Sequence, residues 1–182
     1  MKIENLAENT SDFTGNVWHF QRNGESVLID SGTKDSWQQI EKLEKVDKIV
    51  LTHSHHDHVD NLPKIEDRFK SEIYAYEPKN LPIDASKIKD RENISLGGLE
   101  FEIFHTPGHK DDSICLYNEE KRILFTGDLI FPEGSFGRTD LEEGDREQLI
   151  SSIEKIEGLE VDEMYCGHDP ASRENVEEQI SR

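Results

Sequence analysis

Apolar residues in this 182-residue chain fall into short runs separated by polar turns. Strand-like segments stand at Asn16–Phe20, Ser26–Asp30, Lys48–Thr52, Ile73–Tyr76, Leu99–His105, Ser113–Tyr117, Ile123–Thr126 and Val161–Cys166. Three segments carry helical spacing instead. Asp35–Val46 opens on an acidic cap candidate and puts Trp37, Ile40 and Leu43 on one side. Arg146–Ile156 places Leu149, Ile150, Ile153 and Ile156 at helical intervals, and the tail from Arg173 onward carries Val176 and Ile180 four apart. A short helix from about Asp57 to Phe69 breaks or restarts at Pro63, which lacks the amide hydrogen a helix interior needs. Tyr76–Asp90, with Pro78 and Pro82 among alternating charges, reads as a surface connection.

Strand runs come first, helices fall between them, and the two halves are built alike. Two sheets packed face to face with helices outside satisfy this order, and so does a simpler α/β layer. A chain of this length builds one well-buried domain, expected over residues 1–182. No internal repeat or low-complexity block interrupts it.

Composition narrows the partners. The hydrophobic share is 33%, the charged share 34% and the mean hydropathy −0.78, polar for a folded protein. Forty acidic residues against 21 basic ones give a formal charge of −19. A surface this acidic repels phosphate backbones and anionic lipid at long range, so nucleic acid and membrane are not expected partners. The same acidity serves solubility, including in a saline cytoplasm. The opening MKIENLAENT has no apolar core of a signal peptide, and no run approaches the length of a membrane span. Cys115 and Cys166 both sit in apolar, strand-like runs, which suits buried reduced thiols and a cytoplasmic location.

The chemistry is concentrated in the histidines. Of eight, four lie in the run Thr52-His53-Ser54-His55-His56-Asp57-His58, directly after an apolar strand. A strand end that turns at the edge of a sheet lets ligands converge without burying unpaired polar groups. His53 and His55 are two apart, so on extended backbone they point to the same side. Asp57 and His58 follow as the chain turns and can reach a second ion or a nucleophile. Imidazole and carboxylate suit zinc, iron or manganese. Three later segments repeat the design of strand, polar residue and turn. They are Phe101–His109 through Thr106-Pro107-Gly108, Ile123–Asp128 through Thr126-Gly127, and Met164–His168 through Cys166-Gly167. Each sets a glycine beside a His or Asp, where the backbone can turn tightly at a bound ion. A lone Gly-His is an ordinary turn; the three together supply His109, Asp128 and His168. By contrast, His56 faces away from its neighbours, and His19 and His105 read as packing or hydrogen-bonded strand residues.

The run His53-x-His55-x-Asp57-His58, with Thr-Pro-Gly-His109, Thr-Gly-Asp128 and Gly-His168, resembles the metallo-β-lactamase fold superfamily from about Val17 to His168. The resemblance implies an α+β fold, a four-layered αββα sandwich with metals at one edge between two sheets. It also implies two divalent ions, zinc first, with iron or manganese as alternatives. His53, His55 and His109 would bind one ion, Asp57, His58 and His168 the other, and Asp128 would bridge them. Asp30-Ser31-Gly32 is similar to the family's short loop beneath the site, which orients ligand histidines.

Asp128 and His58 point away from the β-lactamases of this fold, which usually lack the bridging carboxylate. The stretch Gly134-Ser135-Phe136-Gly137-Arg138-Thr139-Asp140-Leu141 is similar to one shared by glyoxalase II-type thioesterases and persulfide dioxygenases. Glyoxalase II proper has a further C-terminal helical region that helps hold glutathione, whereas here only Asp169–Arg182 follow the last motif, which leaves room for another thiol carrier. Arg138 stands where such enzymes use a basic residue for the thiol substrate, or it fixes its loop by an ion pair to Asp140 or Asp145. The expected activity is hydrolysis of a hydroxyacyl thioester, a small-molecule substrate, by a metal-bridging hydroxide, with Asp57 as the catalytic residue that orients it. The first alternative is a non-haem iron persulfide dioxygenase, for which His53, His109 and Asp128 make a two-His-one-carboxylate set. A lactonase or other ester hydrolase, a phosphodiesterase and a non-catalytic metal-binding module are the remaining readings.

Overall fold

Described in the computed structural model are residues 1–8, 10 and 14–181. By its own contacts the chain divides into two units, Met1–Ile88 with Ser95–Gly98, and Lys89–Ile94 with Leu99–Arg182.

The first unit holds β1 (Ile3–Asn5), β2 (Trp18–Arg22), β3 (Glu25–Ile29), the single-turn α1 (Trp37–Ile40), β4 (Lys48–Val50), α2 (His56–Val59), α3 (Leu62–Phe69), β5 (Glu72–Ala75) and β6 (Ser86–Lys87). Its six strands are ordered as they occur in the chain. The pairings β1–β2 and β2–β3 are antiparallel, and those from β3 to β6 are parallel. Leu28, Ile49, Leu51, Leu62 and Ile65 anchor its core. Because β3 and β4 are parallel, both strands end at the same edge, in register Ile29 to Val50. The first residues beyond them, Asp30 and Leu51-Thr52-His53, therefore emerge together, and such carboxyl ends of parallel strands are where open sheets bind ligands.

The second unit carries β8 (Leu99–His105), β9 (Ile114–Asn118), β10 (Ile123–Gly127), α4 (Arg146–Ile156), β11 (Glu163–Cys166) and α5 (Val176–Ile180), and β7 (Asn93–Leu96) joins β8 at the sheet's edge. The strand order is β11-β10-β9-β8-β7. The pairs β8–β9 and β9–β10 are antiparallel, whereas β10 and β11 run parallel. Phe104, Leu124, Leu149, Ile156 and Met164 form its core. Here too the parallel pair ends on chemistry, with Asp128 just past β10 and His168 just past β11.

Most expected segments fold as read, with ends shifted by a residue or two, and the span of α4 is as expected. Two differ. The helix expected over Asp35–Val46 is regular only at Trp37–Ile40. Beyond it the amides of Lys42 and Leu43 bond three residues back, and Leu43 already packs on the core, so further helical turns gain nothing. The Asp57–Phe69 segment breaks and restarts as expected, as two helices, with Pro63 in the first turn of α3, where its missing amide hydrogen costs nothing. In the tail only Val176–Ile180 is helical, because Ser172 bonds Met164 in both directions and holds the preceding chain extended; the last residue, Arg182, lies outside the described residues. Strands β1, β6 and β7 were not anticipated. Ile-Glu-Asn and Ser-Lys carry almost no apolar pattern, and β6 pairs within the expected surface connection. In β7, buried Ile94 and Leu96 alternate with exposed Asn93 and Ser95, then Gly97 and Gly98 adopt positive φ, a readable hairpin signal. Among the described residues, no helix is long and apolar enough to cross a membrane.

Candidate metal centre

Each unit gathers its own group of candidate ligands. In the first, the chain leaves β4 extended and enters α2 at His56, so His53 and His55 precede the helix and Asp57 and His58 lie in its first turn. His53 Nε2 and His55 Nδ1 lie 3.2 Å apart. The rings of His53 and His58 lie tilted at 49° with 4.1 Å between centroids, and Asp57 Oδ2 is 3.7 Å from His58 Nε2. His53 and His58 are buried, and His55 and Asp57 are half-buried.

The residue that organises this group is Asp30. It adopts a positive φ of 63° and is buried. Its Oδ1 accepts the Thr52 amide at 2.7 Å and its Oδ2 accepts the Thr52 hydroxyl at 2.7 Å, while His58 Nδ1 lies 2.8 Å from Oδ2. An ionised carboxylate only accepts, so the His58 proton is on Nδ1 and its Nε2 keeps a lone pair. The Thr52 hydroxyl, having spent its proton on Asp30, faces His53 Nδ1 at 3.1 Å as an acceptor. That fixes the proton of His53 on Nδ1 as well and leaves Nε2 as the ligand atom. Ser31 closes the loop, its amide and hydroxyl both donating to the His58 carbonyl. Gly15 donates its amide to the Asp57 carbonyl at 3.0 Å, and a Cβ there would stand 2.7 Å from the His58 ring.

The second unit brings His109, Asp128 and His168 together. Asp128 Oδ2 lies 3.4 Å from His109 Nε2 and 3.4 Å from His168 Nε2. His109 and Asp128 are buried, and His168 is half-buried with its ring edge-on to Phe131. A shift in register between Phe125 and Gly127 against β11 sets these two strand ends, and the Gly167 amide donates to the Gly127 carbonyl at 2.7 Å. Here a main-chain carbonyl fixes the tautomer: His109 Nδ1 donates to the Arg138 carbonyl at 2.8 Å, which leaves Nε2 toward Asp128. The loop that carries this carbonyl is clamped. A Cβ on Gly137 would fall 1.9 Å from the Asp128 carbonyl oxygen, the Asp145 amide donates to the Gly108 carbonyl, and buried Lys110 pairs with Glu143.

The other sequence expectations find their places too. The Arg138 guanidinium is exposed and grips Asp140 through two 2.9 Å bonds, so the loop-fixing pair is the contact it makes here. That pairing raises the Arg138 pKa and lowers that of Asp140. His56 is exposed beside Asp60 at 3.3 Å. His19 sits between Glu4 and Ser26, and His105 faces the Asp111 carbonyl at 2.7 Å. Cys115 and Cys166 are buried free thiols, and burial pushes both up to about 12, which removes them as nucleophiles near neutrality. Sequence reasoning assigned no role to Thr52, Gly15, Gly137 or Lys110. Thr52 adjoins the histidine run and Gly137 lies in the quoted loop, but Asp30, the carboxylate that Thr52 serves, is 22 residues away, and Gly137 meets Asp128 across a loop.

The donor set suits a divalent ion. Three imidazoles present Nε2 with Nδ1 engaged elsewhere, and carboxylates stand beside them, the N/O mixture that zinc and iron take. The comparisons agree with this chemistry. A profile of the Metallo-beta-lactamase superfamily matches residues 10–168, and the chain belongs to that superfamily, whose fold binds divalent metals. Hydroxyacylglutathione hydrolase GloC of Haemophilus influenzae is 35% identical over 161 residues, covering 75% of this chain and 74% of that protein. The crystal structure of BLEG-1 B3 metallo-beta-lactamase matches with a TM-score of 0.80 at 27% identity, over 94% of this chain and 93% of that one. The crystal structure of ETHE1 from Myxococcus xanthus matches at 0.77 and 24% identity, over 94% and 79%, a likeness of fold. The fold is thus the α+β metallo-β-lactamase fold with two mixed sheets, as the motif order implied.

Proposed function

We propose that the two groups of ligands serve one centre, that both units form one metallo-β-lactamase-type domain over residues 1–182, and that the protein is a glyoxalase II-like thioesterase acting on a hydroxyacyl thioester. The observation that carries the chemistry is Asp128 Oδ2, held 3.4 Å from His109 Nε2 and 3.4 Å from His168 Nε2. The kinship to a hydroxyacylglutathione hydrolase at 35% identity supports the choice of substrate class.

In this reading His53, His55 and His109 would hold one divalent ion, Asp57, His58 and His168 would hold a second, and Asp128 would serve both. Zinc is the first candidate, and iron or manganese suits the same donors. Such ions, when bound, lower the pKa of coordinated water toward ~7 and polarise a carbonyl oxygen. The protein's own residues supply the rest. Asp57 accepts a hydrogen bond from the attacking water and orients it toward the acyl carbon. The carbon–sulfur bond breaks as the new carbon–oxygen bond forms, and the products are a hydroxy acid and a thiol. A thiolate leaves readily, so no dedicated general acid is required. Arg138, exposed at the loop, exchanges Asp140 for a carboxylate of the thiol carrier.

The test is metal analysis together with a substrate panel of thioesters, lactones and phosphodiesters on zinc-loaded protein. Two zincs per chain and preferential thioester cleavage are expected. Lactone or phosphodiester turnover without thioester cleavage would overturn the substrate class. Iron at one per chain with oxygen uptake on glutathione persulfide would instead establish the dioxygenase reading, for which His53, His109 and Asp128 supply the ligand set.

A further inference from the structure

Helix α4 has two faces. Leu149, Ser152 and Ile156 are buried beneath it. Beside them runs a second stripe: Arg146, Ile150, Ile153 and Glu157, spaced four, three and four residues apart, the interval of a helix-pairing seam. Ile150 is 46% exposed, and Phe136 in the neighbouring loop is equally so, with its ring 5.9 Å from the Arg146 guanidinium. These side chains border a groove of about 230 Å³. Ile150 and Phe136 line the same groove, so the two exposed apolar side chains form one patch, the kind of surface that marks a contact site.

The stripe reads the same in both directions if opposite charges are treated as partners. Its midpoint falls between Ser151 and Ser152. Turning a second copy of the helix end for end about that point sets Arg146 against Glu157, Ile150 against Ile153, and the converse pairs at the other half. This is the requirement of a two-fold, isologous contact, in which residue i meets j and j meets i. The separation of Arg146 and Glu157, about 16 Å at 1.5 Å per residue, is the same on both copies by construction. Neither Arg146 nor Glu157 has an ion-pair partner of its own among the described residues, although the chain is rich in both pairing types.

We propose that the exposed face of α4 is a self-association surface, on which a second copy of this chain docks antiparallel through Arg146, Ile150, Ile153 and Glu157, with Phe136 at the rim. The two copies repel through their net charge, but that repulsion is screened beyond ~8 Å at physiological salt, whereas the seam charges meet at contact distance. The surface lies within the second unit and does not depend on the proposed chemistry.

The experiment is sedimentation velocity of the full-length protein at physiological salt over about a hundredfold dilution, a range in which association by mass action is visible. The wild type should shift from twice the chain mass toward one. Arg146→Glu alone and Glu157→Arg alone should each weaken association at least about tenfold by opposing like charges. The double swap, Arg146→Glu with Glu157→Arg, should restore it, because the palindrome is rebuilt with its signs exchanged. Ile150→Asp should abolish it. The three substituted positions, Arg146, Ile150 and Glu157, are exposed on α4, and circular dichroism checks that the variants remain folded. A wild type that stays monomeric throughout overturns the proposal. So does a dimer unaffected by the single variants, or a double swap no better than either single change.

Discussion

The two ligand groups solve the same problem by different means. Both stand at the carboxyl ends of a parallel strand pair in an otherwise mixed sheet, β3–β4 in one unit and β10–β11 in the other. In the first, four candidate ligands come from six consecutive residues, and a buried carboxylate, Asp30, sets the tautomers of His58 directly and His53 through Thr52. In the second, three ligands come from three separate strand ends, and a main-chain carbonyl, that of Arg138, sets His109. A carboxylate control can be changed by one side-chain substitution. A carbonyl control survives any change of side chain and yields only to changes in backbone path.

The largest effect should follow loss of the one carboxylate shared by two imidazoles. Asp128→Ala is expected to lose bound metal and lower kcat/KM by more than about a hundredfold, since even outer partners of metal ligands cost 10–100-fold. Metal content by mass spectrometry with turnover checks it, and full retention of both would refute the assignment. Next, Asp30→Asn presents an amide to His58 or Thr52 where a carboxylate accepted both. Metal affinity should fall about 10–100-fold by titration with a chelator, without loss of the fold. Third, Gly137→Ala forces a methyl into the Asp128 carbonyl and the backbone must move. A loss of about 1–3 kcal/mol in stability is expected by denaturant unfolding, together with weaker metal binding.

Arg138→Ala sharpens the contrast because it removes the guanidinium and keeps the carbonyl. Metal content should be unchanged, while KM for a carboxylate-bearing thioester rises about tenfold, the scale of one charge-assisted bond. A fall in metal content would show that the side chain, not the carbonyl, controls His109. The smallest effect concerns a pair away from the ligands. Burial would raise the Glu163 carboxyl, but hydrogen bonds from Tyr165 and Arg173 outweigh it and hold it below its ordinary 4.5. A lowered folded-state value stabilises above the unfolded pKa and is lost as pH falls through the folded one. Glu163→Gln should therefore cost less than about 1 kcal/mol at neutrality, and the difference from wild type should vanish in thermal melts well below pH 4.5.

The first group was the more legible in sequence because its ligands follow one another along a strand end and a helical turn. His109, Asp128 and His168 were legible only jointly, through three repeats of strand, glycine and ligand. The short edge strands β1 and β6 were not, since three and two residues with almost no apolar alternation leave no periodic signal. Arg138 was chosen for its charge, and its exposed guanidinium holds Asp140, while its carbonyl does what no residue type can advertise. Every residue but proline carries the same donor and acceptor in its main chain, so sequence is silent about which carbonyl will be used.

By itself the sequence determined the kinds of donor, their order and their placement at the ends of apolar strands, because those follow from side-chain chemistry and local periodicity. Only the tertiary structure decided which nitrogen of each imidazole carries its proton. That choice rests on hydrogen bonds between residues far apart in the chain, His58 with Asp30 and His109 with Arg138, and long-range contacts of this kind exist only once the strands have paired.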